Sequence, residues 1–250
     1  MTAAIEFKNV TKSYGDDVVL ENFNLEIEKG DFVVIIGTSG CGKTTALKLI
    51  NRLITPEKGE IFVNGKNIAN EDIITLRRHI GYSIQGNLLF PHMTVRDNIL
   101  YVPDLYKEKD EEYDRKAVQK WLKLVDLPEE YLERYPKQLS GGQQQRVGIA
   151  RAMANEPEIL LMDEPFGAID AITRTQLQKK IKAIHEQTGV TIVFITHDIN
   201  EAIHLGNKVV IMEDGQIDQY DTPENIIDHP ATEFAKTLIG DNTLEEIAKK

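Results

Sequence analysis

Phe32-Val33-Val34-Ile35-Ile36-Gly37-Thr38-Ser39-Gly40-Cys41-Gly42-Lys43-Thr44 decides the fold. Its first five residues are apolar and too few for an independent helix, so they read as a buried strand. The next eight fill every fixed position of G-x-x-x-x-G-K-[ST], and a helical run from Thr45 to Leu53 follows. In the order strand, glycine-rich loop, helix, the glycines let successive backbone N–H groups turn onto phosphate oxygens. The helix N-terminus adds partial positive charge at the same spot. Lys43 is then expected to reach the β- and γ-phosphates of ATP, and the Thr44 hydroxyl to ligate Mg²⁺. Gly37, Thr38, Ser39, Gly40, Cys41, Gly42 and Thr45 complete the expected phosphate-binding set, with Cys41 a small side chain suited to a tight turn.

Outward from this loop, short apolar runs recur at Ile159 to Met162, Thr191 to Ile195 and Lys208 to Met212. Those at Phe32, Ile159 and Thr191 are apolar throughout, as central strands of a sheet covered on both faces should be, and helical patterns lie between them. The fold class expected is therefore α/β. The Ile159 run ends in Asp163-Glu164, where Asp163 would serve Mg²⁺ directly or through water. Glu164, one residue on, is placed to act as general base on the attacking water. The Thr191 run ends in Thr196-His197, and a histidine there can reach the γ-phosphate region and hold water and base in line.

Between Gly86 and Asn155 the pattern becomes helical. Val118, Trp121, Leu122 and Val125 fall at i, i+3, i+4 and i+7, a stripe that predicts core packing in an inserted helical subdomain.

The totals narrow the function. The 250 residues carry 29 Lys and Arg against 40 Asp and Glu, a formal charge of −11, which argues against non-specific nucleic-acid binding. One cysteine, Cys41, permits no intrachain disulfide and fits a reducing compartment. The start, MTAAIEFKNV, carries an acid and no long apolar core, and no stretch approaches the ~18 apolar residues of a membrane span. If the chain acts in transport, another protein must provide the pore.

Leu139-Ser140-Gly141-Gly142-Gln143 precedes a helix expected to run to about Glu156. Ser140 is an N-cap candidate, and the glycines free N–H groups to meet a second anion. With the phosphate loop and the Asp163-Glu164 pair, this complete signature makes the chain resemble the ABC ATPases. The resemblance implies a P-loop, RecA-like core with an N-terminal antiparallel β subdomain and an inserted α-helical subdomain. It further implies an ATP-dependent homodimer in which Ser140, Gly141, Gly142 and Gln143 of one subunit cover the nucleotide held by the other. Tyr14 resembles the aromatic residue that stacks on adenine. Gln85 resembles the glutamine that meets Mg²⁺ or water and senses the membrane protein. Asp170, in Gly167-Ala168-Ile169-Asp170, matches the loop that links the two active sites, with Ile169 in place of the more usual Leu.

By that resemblance the ATPase domain spans residues 1–240, with core segments 1–85 and 157–240, a helical subdomain 86–156 and a short tail 241–250. Ile50 to Ile54, LRRHIGYSIQ from Leu76, LFPHMTV from Leu89 and FGAIDAITR from Phe166 resemble the importers of quaternary amines and osmoprotectants such as glycine betaine, choline and carnitine. The implied partners are transmembrane permease subunits and a separate solute-binding protein, at the cytoplasmic face of the membrane. Leu88, Leu89, Phe90, Met93 and Tyr101 are candidates for a groove that accepts a permease helix. Members of that group often carry CBS modules after the ATPase, so a chain stopping at Lys250 is expected to lack control through them. An importer for another small solute, and a soluble ABC protein outside transport, are the alternative readings.

Overall fold

The computed structural model describes residues 3–86, 89–105 and 111–247. In chain order the elements are β1 (Ala3–Tyr14), β2 (Asp17–Glu28), β3 (Phe32–Gly37), α1 (Lys43–Ile50), β4 (Lys58–Val63), β5 (Lys66–Asn67), α2 (Ile73–Arg78) and β6 (Ile80–Ser83). Then come α3 (Val95–Asp104), α4 (Glu111–Leu124), α5 (Gly141–Met153), β7 (Ile159–Asp163), α6 (Ala171–Thr188), β8 (Thr191–Ile195) and α7 (Ile199–Leu205). The chain closes with β9 (Lys208–Glu213), β10 (Gln216–Asp221), α8 (Pro223–Asp228) and α9 (Glu233–Ile247), the last broken at Gly240. The chain divides into two compact units, Met1–Leu76 with Gly189–Lys250, and Arg77–Thr188.

In the first unit β2, β1, β4 and β5 form an antiparallel sheet. Ile5 pairs with Ile27 on one side and Val63 on the other, and Phe7 with Leu25 and Ile61. Leu20, Phe23, Leu25 and Ile27 of β2 are buried while most residues between them are exposed, so this sheet covers a core with one face only. It is the expected N-terminal antiparallel subdomain. In the same unit β3 runs parallel to β8 and to β9, and β10 pairs antiparallel with β9. Every residue of β3 and β8 is buried, which is why both strands are almost wholly apolar instead of alternating, with Thr191 at the start of β8 accepting the Gly30 N–H. The helix after the loop starts two residues earlier than expected, at Lys43, and ends at Ile50 instead of Leu53. Arg52 takes φ 49°, a left-handed conformation that a helix cannot continue through.

In the second unit β6 and β7 pair in parallel, Ile80 with Ile159 through Ser83 with Met162, beside four helices. Val118, Trp121, Leu122 and Val125 are all buried, as the stripe predicts. Each such side chain contributes roughly 1.5–3 kcal/mol by leaving water. Asn98 is fully buried on α3 and closes the preceding loop: its amide donates to the carbonyls of Phe90, Met93 and Thr94 and accepts from the Phe90 N–H. Helix α5 stops at Met153, three residues short of Glu156, which is itself left-handed at φ 48°.

Candidate nucleotide site

The first unit carries the phosphate loop at the end of β3. Gly42 is the N-cap of α1 at φ 102°, a left-handed conformation that favours glycine. Lys43 is buried, and its ammonium donates to the carbonyls of Gly37 (2.9 Å) and Thr38 (2.6 Å), which aims it back across the loop. The Cys41 thiol is buried, 3.7 Å from the same ammonium, which agrees with its reading as a small turn residue. At the end of β8, Thr196 is buried and accepts the Asp198 N–H while donating to Glu201. These bonds pin the turn that presents His197 to solvent. Tyr14 stands 48% exposed at the tip of the β1–β2 hairpin, with the Lys12 ammonium 5.5 Å from its ring centroid.

The second unit carries the carboxylates. β7 ends in buried Asp163, and Glu164 beyond it takes φ 44°, a conformation that costs a non-glycine residue free energy and that its surroundings must hold. Gln85 Nε2 donates to Glu164 Oε2 over 3.2 Å. Burial, and then the charge of Asp163, push the Tyr82 phenol well above its ordinary range, so it stays protonated. Ser140 caps α5: its hydroxyl accepts the Gln143 N–H, and the Gln143 side chain accepts the Ser140 N–H. Such a reciprocal box satisfies two of the N–H groups that a helix start leaves without partners. Asp170 accepts the Thr173 N–H over 3.0 Å at the start of α6, and the Thr173 amide and hydroxyl hold its carboxyl below the usual aspartate range.

Each unit thus holds its own share of the expected residues. Tyr14, residues 37–45 and His197 lie in the first, and Gln85, Ser140 to Gln143, Asp163, Glu164 and Asp170 in the second. The hydroxyl, amide and carboxylate oxygens of Thr44, Gln85 and Asp163 are the hard donors that suit Mg²⁺.

Three features escape the sequence reading. The Gln85–Glu164 bond joins residues 79 positions apart. Gly142 is needed for packing as well as for an open helix start, because a Cβ there would lie 2.7 Å from the Ala168 carbonyl oxygen. Gln145 is buried and spans Glu164 and Ala168 with its amide. The available signal was its place one stripe along from Gly142 and before Ile149, a polar residue on a buried helix face.

A cavity of about 390 Å³ in the second unit is lined in part by Tyr82, Phe90, Tyr101, Arg77, Arg78 and Arg151. Phe90 packs against Tyr101 with ring centroids 4.6 Å apart and planes tilted by 46°, and burial lowers the Arg151 guanidinium pKa. Of the groove candidates, Phe90 and Tyr101 line this cavity, Leu89 is buried and Met93 is half-buried. Leu88 lies outside the described residues. No helix among the described residues is long and apolar enough to cross a membrane.

Strand, glycine loop and helix in this order, with a second strand ending in paired acids, define a P-loop nucleotide-binding protein. The chain belongs to the ABC transporter family, whose model matches residues 20–167. It is 52% identical to the carnitine transport ATP-binding protein OpuCA of Listeria monocytogenes over 97% of this chain and 61% of that one. It is 50% identical to the choline transport ATP-binding protein OpuBA of Bacillus subtilis over 96% of this chain and 63% of that one. The chain therefore spans about three fifths of the length of these curated relatives. Among solved structures it is similar to the dimeric ATP-binding cassette MJ0796 in a post-hydrolysis state bound to ADP and Pi. The TM-score is 0.82 at 36% identity, over 88% of this chain and 98% of that one. The P-loop α/β fold with its antiparallel β subdomain is thereby borne out.

Proposed function

We propose that this chain is the ATP-binding and hydrolysing part of an ABC importer that powers uptake of a small solute, a quaternary amine or osmoprotectant. The observation that carries the hydrolytic part is the end of β7. Asp163 is buried there, and Glu164 is held in a left-handed turn with its carboxylate on Gln85. The cargo rests on the 50–52% identity to relatives named for carnitine and choline transport.

In this reading the N–H groups of residues 37–45 and the Lys43 ammonium bind the phosphates, and Tyr14 stacks on adenine. Thr44, Gln85 and Asp163 hold Mg²⁺, which when bound offsets phosphate negative charge. Glu164 takes a proton from the attacking water at its carboxylate, and His197 holds that water and the γ-phosphate in line. Ser140 to Gln143 cover the γ-phosphate in the cradle of a second copy, so ATP binding and dimerisation are one event. Asp170 lies in the loop that links the two sites. The domain limits 1–240 and 86–156 follow from the same family correspondence.

Permease subunits dock at the Phe90–Tyr101 cavity, a separate solute-binding protein delivers the cargo through them, and the chain sits peripherally on the cytoplasmic face. The test is uptake by proteoliposomes containing the chain, its permease and its solute-binding protein. ATP-dependent uptake of carnitine, choline or glycine betaine is expected. ATP-dependent uptake of an unrelated solute with none of these would move the chain to another importer class, and ATP hydrolysis indifferent to any permease would place it outside transport.

A further inference from the structure

Gln145 lies on the second turn of α5, buried, where a polar side chain costs free energy unless both ends of its amide are bonded. Both are. Its Nε2 donates to the Glu164 carbonyl over 3.2 Å, and its Oε1 accepts the Ala168 N–H over 2.8 Å. The amide orientation is fixed by the partners, since a carbonyl needs the NH₂ end and an N–H needs the oxygen. The loop itself adds weaker local closure, with the Gly167 N–H donating to the Glu164 carbonyl at 3.4 Å and the Ile169 N–H to Phe166 at 3.1 Å. Gly142, one turn earlier on the same helix face, lets the Ala168 carbonyl approach within the space of a missing Cβ. The loop from Glu164 to Ile169 is thus fastened to the first two turns of α5 by one side chain and one glycine. Glu164 is also the residue whose φ of 44° must be imposed from outside.

We propose that Gln145 is a positioning residue for Glu164. By holding the Glu164 carbonyl and the Ala168 N–H to α5, it fixes the left-handed turn that aims the carboxylate, and it makes that aim follow any displacement of the Ser140 end of the helix. The proposal rests on the general-base reading of Glu164 given above. It supplies a physical link, within one chain, between the signature turn and the carboxylate: α5 is a continuous helix, so a shift at Ser140 is carried to Gln145 with little loss.

Two variants test it. Gln145→Met keeps the side-chain length and removes both bonds, and Gln145→Glu keeps the acceptor for Ala168 while losing the donor to Glu164. Hydrogen exchange on the full chain without nucleotide reads the tether alone. The Ala168 amide should exchange about tenfold faster or more in Gln145→Met and stay near wild type in Gln145→Glu. Steady-state ATP hydrolysis reads the consequence. In both variants kcat should fall by about tenfold or more with KM within about threefold. A structural defect alone would lower kcat only in proportion to the loss of folded protein, which circular dichroism and active-site nucleotide titration measure separately. Unchanged Ala168 exchange in Gln145→Met, or wild-type kcat in both variants, would overturn the proposal. If Gln145→Met does not fold, the kcat and KM of Gln145→Glu decide the matter. Failure of the general-base reading shows separately, as wild-type turnover by Glu164→Gln with the exchange result standing.

Discussion

The side-chain amide of Gln85 donates to the carboxylate of Glu164 over 3.2 Å. The second residue beyond β6 and the first beyond β7 thereby share a bond, because the two strands run parallel in register from Ile80–Ile159 to Ser83–Met162. The bond restrains a carboxylate whose backbone is already in an uncommon conformation. Gln85→Ala should therefore lower kcat for ATP hydrolysis by roughly tenfold, the worth of about one charge-assisted hydrogen bond, and leave the Kd for ATP measured without Mg²⁺ nearly unchanged. Nucleotide titration alongside steady-state kinetics separates the two. A variant that lost ATP affinity with kcat intact would contradict the assignment.

Lys43 spans its own loop through the Gly37 and Thr38 carbonyls. Removing the ammonium takes away the only side-chain cation of the loop and the contacts it would make to phosphate. Lys43→Ala should weaken ATP binding by about a hundredfold or more, as the loss of two charge-assisted bonds implies. Fluorescent-nucleotide titration measures this, and binding at wild-type affinity would refute the phosphate role.

Asn98 satisfies three carbonyls and one N–H in the loop from Phe90 to Thr94. Asn98→Leu keeps the volume and leaves those half-buried groups without it, a loss of about 2–3 kcal/mol. For a chain of this size that lowers Tm by roughly 5–10 °C in a calorimetric or dye-based scan.

Asp170 has its folded-state pKa depressed by the Thr173 amide and hydroxyl. A depressed carboxyl stabilises the fold above its unfolded-state value, near 3.8, and that contribution disappears as pH falls through the lower folded-state value. Asp170→Ala should be less stable than wild type at pH 7, with the gap narrowing below pH 4. Thermal scans of both proteins across that range supply the check. A gap that widened on acidification would reverse the sign.

Much of this site was legible because its chemistry is local. Residues 37–44 need only a strand before them and a helix after, and Ser140 caps α5 through a residue three positions away. The continuous apolar runs of β3, β7 and β8 likewise announced buried strands. What the chain order hid is set by neighbours distant in sequence. The need for glycine at 142 comes from Ala168, the aim of Glu164 from Gln85 and Gln145, and the capping role of Asp170 from a helix start with no apolar stripe strong enough to mark it. The ends of α1 and α5 were placed too late because Arg52 and Glu156 adopt left-handed conformations without the glycine that usually signals them.

In the proposed mechanism the capped turn at Ser140 completes the nucleotide site of a second copy. Light scattering of Glu164→Gln with ATP and Mg²⁺ tests it most directly, compared with the same protein also carrying Ser140→Arg. An ATP-dependent dimer is expected for Glu164→Gln, and for the double variant a monomer that still binds ATP. An ATP-induced dimer of undiminished stability in the double variant, or a Glu164→Gln protein that stays monomeric while saturated with ATP, would contradict it.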